Sequence, residues 1–187
     1  MELEQITNDI LSAIVAIDAS REPFRNYLPG VGPYSEPQLV KLIAARLNSQ
    51  VDYNGMARTQ RTPDLMINET WAVEFKITRP FGDNGNEAEN WSVNLLHPYP
   101  GNVSTIGDCL KLLALARPAR KAIVVIGYEH TPAIIDLTPL INSFEVIARD
   151  VVGIRLTNRF ELKREGLIHP IHQAVRLFTW EVLNSPS

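Results

Sequence analysis

Pro63-Asp64-Leu65-Met66-Ile67-Asn68-Glu69-Thr70-Trp71-Ala72-Val73-Glu74-Phe75-Lys76-Ile77 is the stretch on which the fold turns. Two apolar runs flank Asn68-Glu69-Thr70, which reads as a tight turn between two strands. A hairpin centred on Glu69 pairs Ile67 with Trp71 and sets Asp64 directly across from Glu74. Opposed residues on one face have Cβ atoms about 5 Å apart. Lys76 follows Glu74 by two residues and so points the same way. Trp71, Val73, Phe75 and Ile77 fall on the other side and are all apolar. This reading expects one face in the core and the other collecting two carboxylates and an ammonium.

That collection suits a specific chemistry. Paired carboxylates on adjacent strands bind hard divalent cations, and Mg²⁺ characteristically takes one or two carboxylates together with phosphate and water. A cation held there activates water and neutralises charge on a phosphodiester. A neighbouring lysine positions the water or stabilises the transition state. Without a metal the two carboxylates repel, and one tends to keep its proton. The competing reading is an ion-paired sheet surface, where Lys76 neutralises both acids for little energetic gain.

The surrounding chain is that of a globular protein. It has 187 residues, a formal charge of −3 and 45% hydrophobic content, which suits one domain with a substantial core. No apolar run reaches membrane-spanning length. The N-terminus is acidic and amphipathic, without the basic start of a signal peptide. Cys109 is the one cysteine, so neither a disulfide framework nor a thiolate zinc site is expected. A cytoplasmic protein with no membrane partner is the simplest expectation.

Periodicity places the elements. Leu3, Ile6, Ile10, Ile14 and Ile17 predict a helix over 3–19. A Pro- and Gly-rich loop follows over 20–34. Ser35 as N-cap and Pro37 in the first turn open a helix to about Asn48. A strand is expected over Gln50–Arg58, ahead of the hairpin. Residues 79–103 read as a long irregular segment with a short helix over Glu87–Leu96 within it. Ser104 caps a helix to about Arg117, with Ile106, Cys109, Leu110 and Leu113 as its buried stripe. Lys121–Gly127 reads as a fully buried strand. Then come a helix over 133–148, a strand over 151–157 and a closing helix over 170–184 begun by Pro170. The sum is a mixed α/β domain spanning 1–187: an N-terminal helix and loop (1–34), a core (35–127) and a C-terminal extension (128–187).

Pro63-Asp64, nine intervening residues and then Glu74-Phe75-Lys76 resembles the PD-(D/E)xK nuclease superfamily. The element order over roughly 35–127 is similar to that family's core. The resemblance implies a restriction-endonuclease-like fold, a mixed central sheet with an α-βββ-α-β core flanked by helices. It also implies Mg²⁺-dependent DNA cleavage, with Mn²⁺ as a substitute. Asp64 and Glu74 would be metal ligands and Lys76 the catalytic lysine. Many members carry a glutamate on the preceding helix. Glu36 is the candidate, in line with Val40, Ile43 and Leu47, although it also suits the helix dipole there.

Helpers come from the flanks. Lys111 on the helix after the hairpin could meet phosphate, or form an exposed intrahelical pair with Asp108. His97 and Tyr99 in the long loop could face substrate, Tyr99 by stacking on a base. Arg61 with Arg58 could line a phosphate groove, as could the bases at Arg117, Arg120 and Lys121 and at Arg155, Arg159, Lys163 and Arg164. His169 and His172 stand three residues apart, and with no cysteine or third histidine nearby a zinc site is not expected there.

The functional expectation is an endonuclease hydrolysing double-stranded DNA, as in a type II restriction enzyme, and a homodimer if both strands are cut in one event. Its alternatives are a repair or recombination nuclease, an inactive nuclease-like fold binding nucleic acid or protein, and an α/β interaction subunit with a salt-bridged sheet.

Overall fold

The hairpin around Glu69 forms at one edge of a seven-stranded mixed sheet in the computed structural model, which describes residues 1–99, 101, 104–116 and 119–184. Strand β1 (Ala57–Thr59) pairs with β2 (Leu65–Ile67), and β2 pairs with β3 (Trp71–Thr78). Ile67 stands opposite Trp71 and Leu65 opposite Val73, the register expected from a turn centred on Glu69. Asn68 and Glu69 make that turn with φ of 47° and 55°. Left-handed backbone of this kind matches the strand twist in two-residue hairpins.

Beyond the hairpin, β3 runs parallel to β4 (Arg120–Glu129). A parallel pair needs a crossover, and α3 (Val93–Leu96) and α4 (Thr105–Ala114) lie within it. Strand β7 (Ala174–Leu183) pairs antiparallel with β4 on one side. On its other side it carries β5 (Arg155–Leu156) and β6 (Phe160–Glu165).

Helices cover both faces of the sheet. Helices α1 (Leu3–Ala19) and α2 (Glu36–Asn48) set Ile10, Ile14, Ile43 and Leu47 into a core with Trp71, Val73, Phe75 and Val124. Helices α4 and α5 (Thr138–Val146) set Ile106, Cys109, Leu112 and Phe144 against Ala72, Ile123, Val125 and Trp180. The face of β3 carrying Glu74 and Lys76 is therefore no open surface; α4 lies over it.

Several expectations fail, each for a physical reason. The closing helix over 170–184 is the central strand β7. Val175, Phe178, Thr179, Trp180 and Val182 are β-branched or aromatic and suit a pleated surface. A strand buried on both faces reads as a nearly continuous apolar run, which periodicity cannot tell from a helix. The strand expected over 50–58 shrinks to β1. The Asn48 side chain grips both the N–H and the carbonyl of Ala57, at 2.9 and 2.8 Å, and the chain turns before it.

The helix expected from 133 starts at Thr138, where Asp136 Oδ1 accepts from the Thr138 N–H at 2.9 Å, and ends in a π-helical turn over Ile147–Val151. The strand expected over 151–157 reduces to β5. β6, a charge-rich run, was not foreseen. Ser104 does cap α4, accepting from the Gly107 N–H at 3.1 Å. That helix stops at Ala114, and Arg117 lies outside the described residues. Its buried residues include Asp108 and Leu112, while Leu110 and Leu113 are only half-buried. Among the described residues no helix is long and apolar enough to cross a membrane.

Candidate active site

The site is built where β3 outruns its neighbour. β2 begins only at Leu65, opposite Val73, so β3 continues beyond it with one edge uncovered. Buried amides need acceptors, and here two side chains supply them. Asp64 Oδ2 accepts from the Phe75 N–H at 2.9 Å, and Glu36 Oε2 accepts from the Ile77 N–H at 3.0 Å. The carboxylates of Asp64 and Glu36 thus continue the ladder that β2 abandons. Glu36 reaches the strand from the first turn of α2, beneath the buried stripe of Val40, Ile43 and Leu47. It faces inward rather than merely complementing a helix dipole.

One step past the paired register, Asp64 falls opposite Glu74. Glu74 is only 4% exposed, and its Oε1 has no hydrogen-bond partner. Burial, the Asp64 charge and a hydrogen bond to the Asp64 carboxylate push its pKa up to about 9. In the metal-free protein this carboxyl therefore holds a proton against Asp64 at neutral pH.

Lys76 points to the same face as Glu74 and meets Asp108 from α4. Its Nζ stands 2.9 Å from Asp108 Oδ2 and 3.5 Å from Glu36 Oε1. The Lys76–Asp108 contact is close enough for strong attraction but poorly directed, so Asp108 Oδ2 lacks an aligned donor. Burial works against the Lys76 ammonium, but the charges of Glu36 and Asp108 outweigh it and hold its pKa above the ordinary value. Glu36 is raised chiefly by burial, against the pull of Lys76. Lys111 Nζ completes the group at 2.7 Å from Asp108 Oδ1. Four carboxyl groups thus share two ammoniums.

Asp108 is the member that sequence reasoning missed as a site residue, having taken its pair with Lys111 as exposed. A signal was there. Asp108 lies three residues after Thr105 and four before Leu112, on the helix's buried stripe, and is itself 2% exposed. Lys111 does lie at the site, half-exposed.

Other candidates are not brought in. His97 packs edge-on against the exposed Tyr99 at 5.5 Å, and its carbonyl accepts from Ser104 Oγ at 2.7 Å. No described contact joins either residue to Asp64, Glu74 or Lys76. Pro100 and Asn102 of the same loop lie outside the described residues. Arg61 is exposed in the bend leading to Asp64. Most of the far basic residues are taken up locally: Arg159 lies within 3.8 Å of Glu145 and 3.6 Å of Glu161, and Lys163 within 2.6 Å of Glu165.

Asp64 and the unpartnered oxygen of Glu74 form an all-oxygen donor pair of the kind that suits Mg²⁺ or Mn²⁺. Comparison with known proteins found no matching protein family, no matching curated protein and no matching solved structure.

Proposed function

We propose that the chain is a metal-dependent endonuclease of the PD-(D/E)xK type, with a restriction-endonuclease-like core, acting on double-stranded DNA. The observation that carries this reading is Glu74. It is a buried carboxyl with an unpartnered oxygen, paired with Asp64 at an open strand edge, with Lys76 next along the same face. The succession α2, three-strand meander, α4 and parallel β4 supports the fold part of the proposal.

Asp64 and Glu74 would hold Mg²⁺, or Mn²⁺ in its place, which when bound supplies Lewis acidity and a water of lowered pKa. Glu74 would release its proton to solvent on becoming a ligand. Lys76, kept charged and anchored by Glu36 and Asp108, sets a positive charge where negative charge develops on the phosphoryl oxygens. Lys111, half-exposed beside it, is placed to meet a backbone phosphate. Plasmid incubated with Mg²⁺ or Mn²⁺ tests the reading. Asp64→Asn and Lys76→Ala should each lower the cleavage rate by about 10²-fold or more. Cleavage that survives either change removes that residue from the mechanism.

A second reading has its own observation. Lys76 is already engaged by two carboxylates, as in a structural ion network of a nuclease-like binding module without catalysis. Calorimetry separates the two: no Mg²⁺ or Mn²⁺ uptake together with a retained DNA gel shift favours the second.

A further inference from the structure

We propose that Asp83, His169 and His172 form a binding site for a divalent transition-metal ion, Zn²⁺ in the first instance, separate from the acid–lysine centre. One ligand atom from each residue lies within 4.8 Å of the others. The two histidines are 0% and 1% exposed. Asp83 Oδ1, His169 Nε2 and His172 Nδ1 are all buried and all without a hydrogen-bond partner. Three convergent orphans are unusual where nearly every buried polar atom is satisfied. The third ligand that the sequence did not show near the histidine pair comes from the far end of the chain's long irregular segment.

The distances fit a bridging ion better than direct bonding. His172 Nδ1 and Asp83 Oδ1 stand 3.6 Å apart, too far for a hydrogen bond. Two ligands of a tetrahedral zinc, each about 2.0–2.1 Å from the ion, lie about 3.4 Å from one another. His172 Nε2 is 3.0 Å from the Phe81 carbonyl, which places its proton there and leaves the Nδ1 lone pair free. A backbone carbonyl holding the far nitrogen of a ligating histidine is a recurrent feature of metal sites. Two nitrogens and one carboxylate oxygen select zinc, cobalt or nickel over magnesium.

His169 fixes the proton balance. The amides of Ile171 and His172 both donate to its Nδ1 at 3.3 Å. Neutral His169 therefore carries its proton on Nε2, and uptake of the ion expels that proton to solvent while the freed lone pair forms the metal bond. Loss of that proton would turn the neutral ring into an imidazolate with Nδ1 still held by the two amides, and its charge together with that of Asp83 would offset the two charges of the ion. Arg79, the neighbouring cation, feels the charges of Asp83 and Glu36, while Asp18, close to His169, accepts from the Val31 and Ile168 amides at 2.9 Å each. Loop 30–32 lies against both histidines through glycines: a Cβ at Gly32 would come 2.2 Å from His172 Nδ1, and one at Gly30 2.8 Å from His169 Cβ. The ion would tie the segment leaving β3, a few residues past Lys76, to the loop that enters β7.

Chelator-treated full-length protein titrated with Co²⁺, followed by visible absorption and by Zn²⁺ competition, tests the site, with bound zinc counted after dialysis. The expected result is one zinc equivalent and a raised melting temperature in the wild type and in Asp64→Asn. Asp83→Asn and His172→Gln should weaken binding by at least ~10-fold and abolish the thermal shift. Should His172→Gln fail to fold, Asp83→Asn carries the test, because the Asp83 side chain is 27% exposed. Absence of zinc from the wild type overturns the proposal. So does a zinc equivalent that Asp64→Asn removes and Asp83→Asn keeps. Neither result bears on DNA cleavage, which Asp64→Asn tests separately.

Discussion

Glu74 and Glu129 are equally buried, each 4% exposed, yet the protein treats them in opposite ways. Glu129, at the end of β4, faces Arg176 of β7. That guanidinium lies 3.2 Å from Glu129, 3.1 Å from Asp136 and 2.6 Å from Glu161, donates to Thr138 Oγ1 at 3.1 Å and sits over the Phe178 ring. Glu74 has no such cation. It has a like-charged neighbour in Asp64 and an oxygen with nothing to bond. The β4–β7 side of the sheet is closed electrostatically, and the β2–β3 side is left open. A buried carboxyl held without compensation costs stability, and such costs concentrate where a site must accept something from outside.

The largest effect should come from breaking the closed side. Arg176→Ala would leave Glu129 buried and unpaired, which costs about 3–5 kcal/mol. Urea denaturation measures this directly. A loss below about 1 kcal/mol would mean that water replaces the guanidinium, and the contrast between the two ends would fail. Cleavage per folded molecule should not change, since no described contact joins Arg176 to the acid–lysine centre.

The open side should respond with the other sign. Glu74→Gln keeps the shape and removes the proton uptake that folding otherwise requires at this pH. It should stabilise the metal-free protein at pH 8 by about 1–3 kcal/mol while abolishing cleavage. Destabilisation by this change would show that the Glu74 carboxyl is compensated after all.

A pH series sharpens the same point. The Glu74 pKa is about 9 in the folded chain against an ordinary 4.5. Between those values the folded state binds more protons than the unfolded state, so stability falls as pH rises. The contribution is fully present below about pH 4.5 and is lost by the time pH passes 9. Glu36, also raised by burial, acts in the same direction. In chelator, the wild type should lose stability steadily from pH 5 to 9, and Glu74→Gln should flatten much of that slope. Equal slopes in the two proteins would assign the effect elsewhere.

The two regions were unequally legible in the sequence. The hairpin was readable because a two-residue period and a turn of Asn68-Glu69-Thr70 leave one register that buries Trp71, Val73 and Phe75 together. That register carries Asp64 and Glu74 with it. The stripe of Val40, Ile43 and Leu47 made Glu36 a candidate to face inward, but the helix dipole accounted for its place equally well. The closed side was not readable. β7 is buried on both faces and so lacks the alternation that marks a strand, and Pro170 imitates a helix start. Its ion pairs join residues up to 61 positions apart, a separation no local pattern reports. The Asp83, His169 and His172 cluster was hidden for the same reason. Asp108 lies between these cases: its helical phase was available, but an acid on a buried stripe looked like a surface pair.

The smallest expected effect compares two lysines. Lys111 and Lys163 have nearly the same side-chain exposure, 43% and 42%, and each contacts one carboxylate, at 2.7 and 2.6 Å. Lys163→Ala removes an exposed pair on β6 and should change stability by no more than about 0.5 kcal/mol. DNA affinity should stay the same. Lys111→Ala should be nearly as mild for stability, because Asp108 keeps its contact with Lys76. Its mark should appear in binding: weaker DNA affinity irrespective of sequence, and a salt dependence shallower by about one phosphate contact. Affinity measured across a salt series resolves the two. If both variants keep the wild-type slope, Lys111 serves only Asp108, and the open side of the sheet does not extend its charge to the DNA backbone.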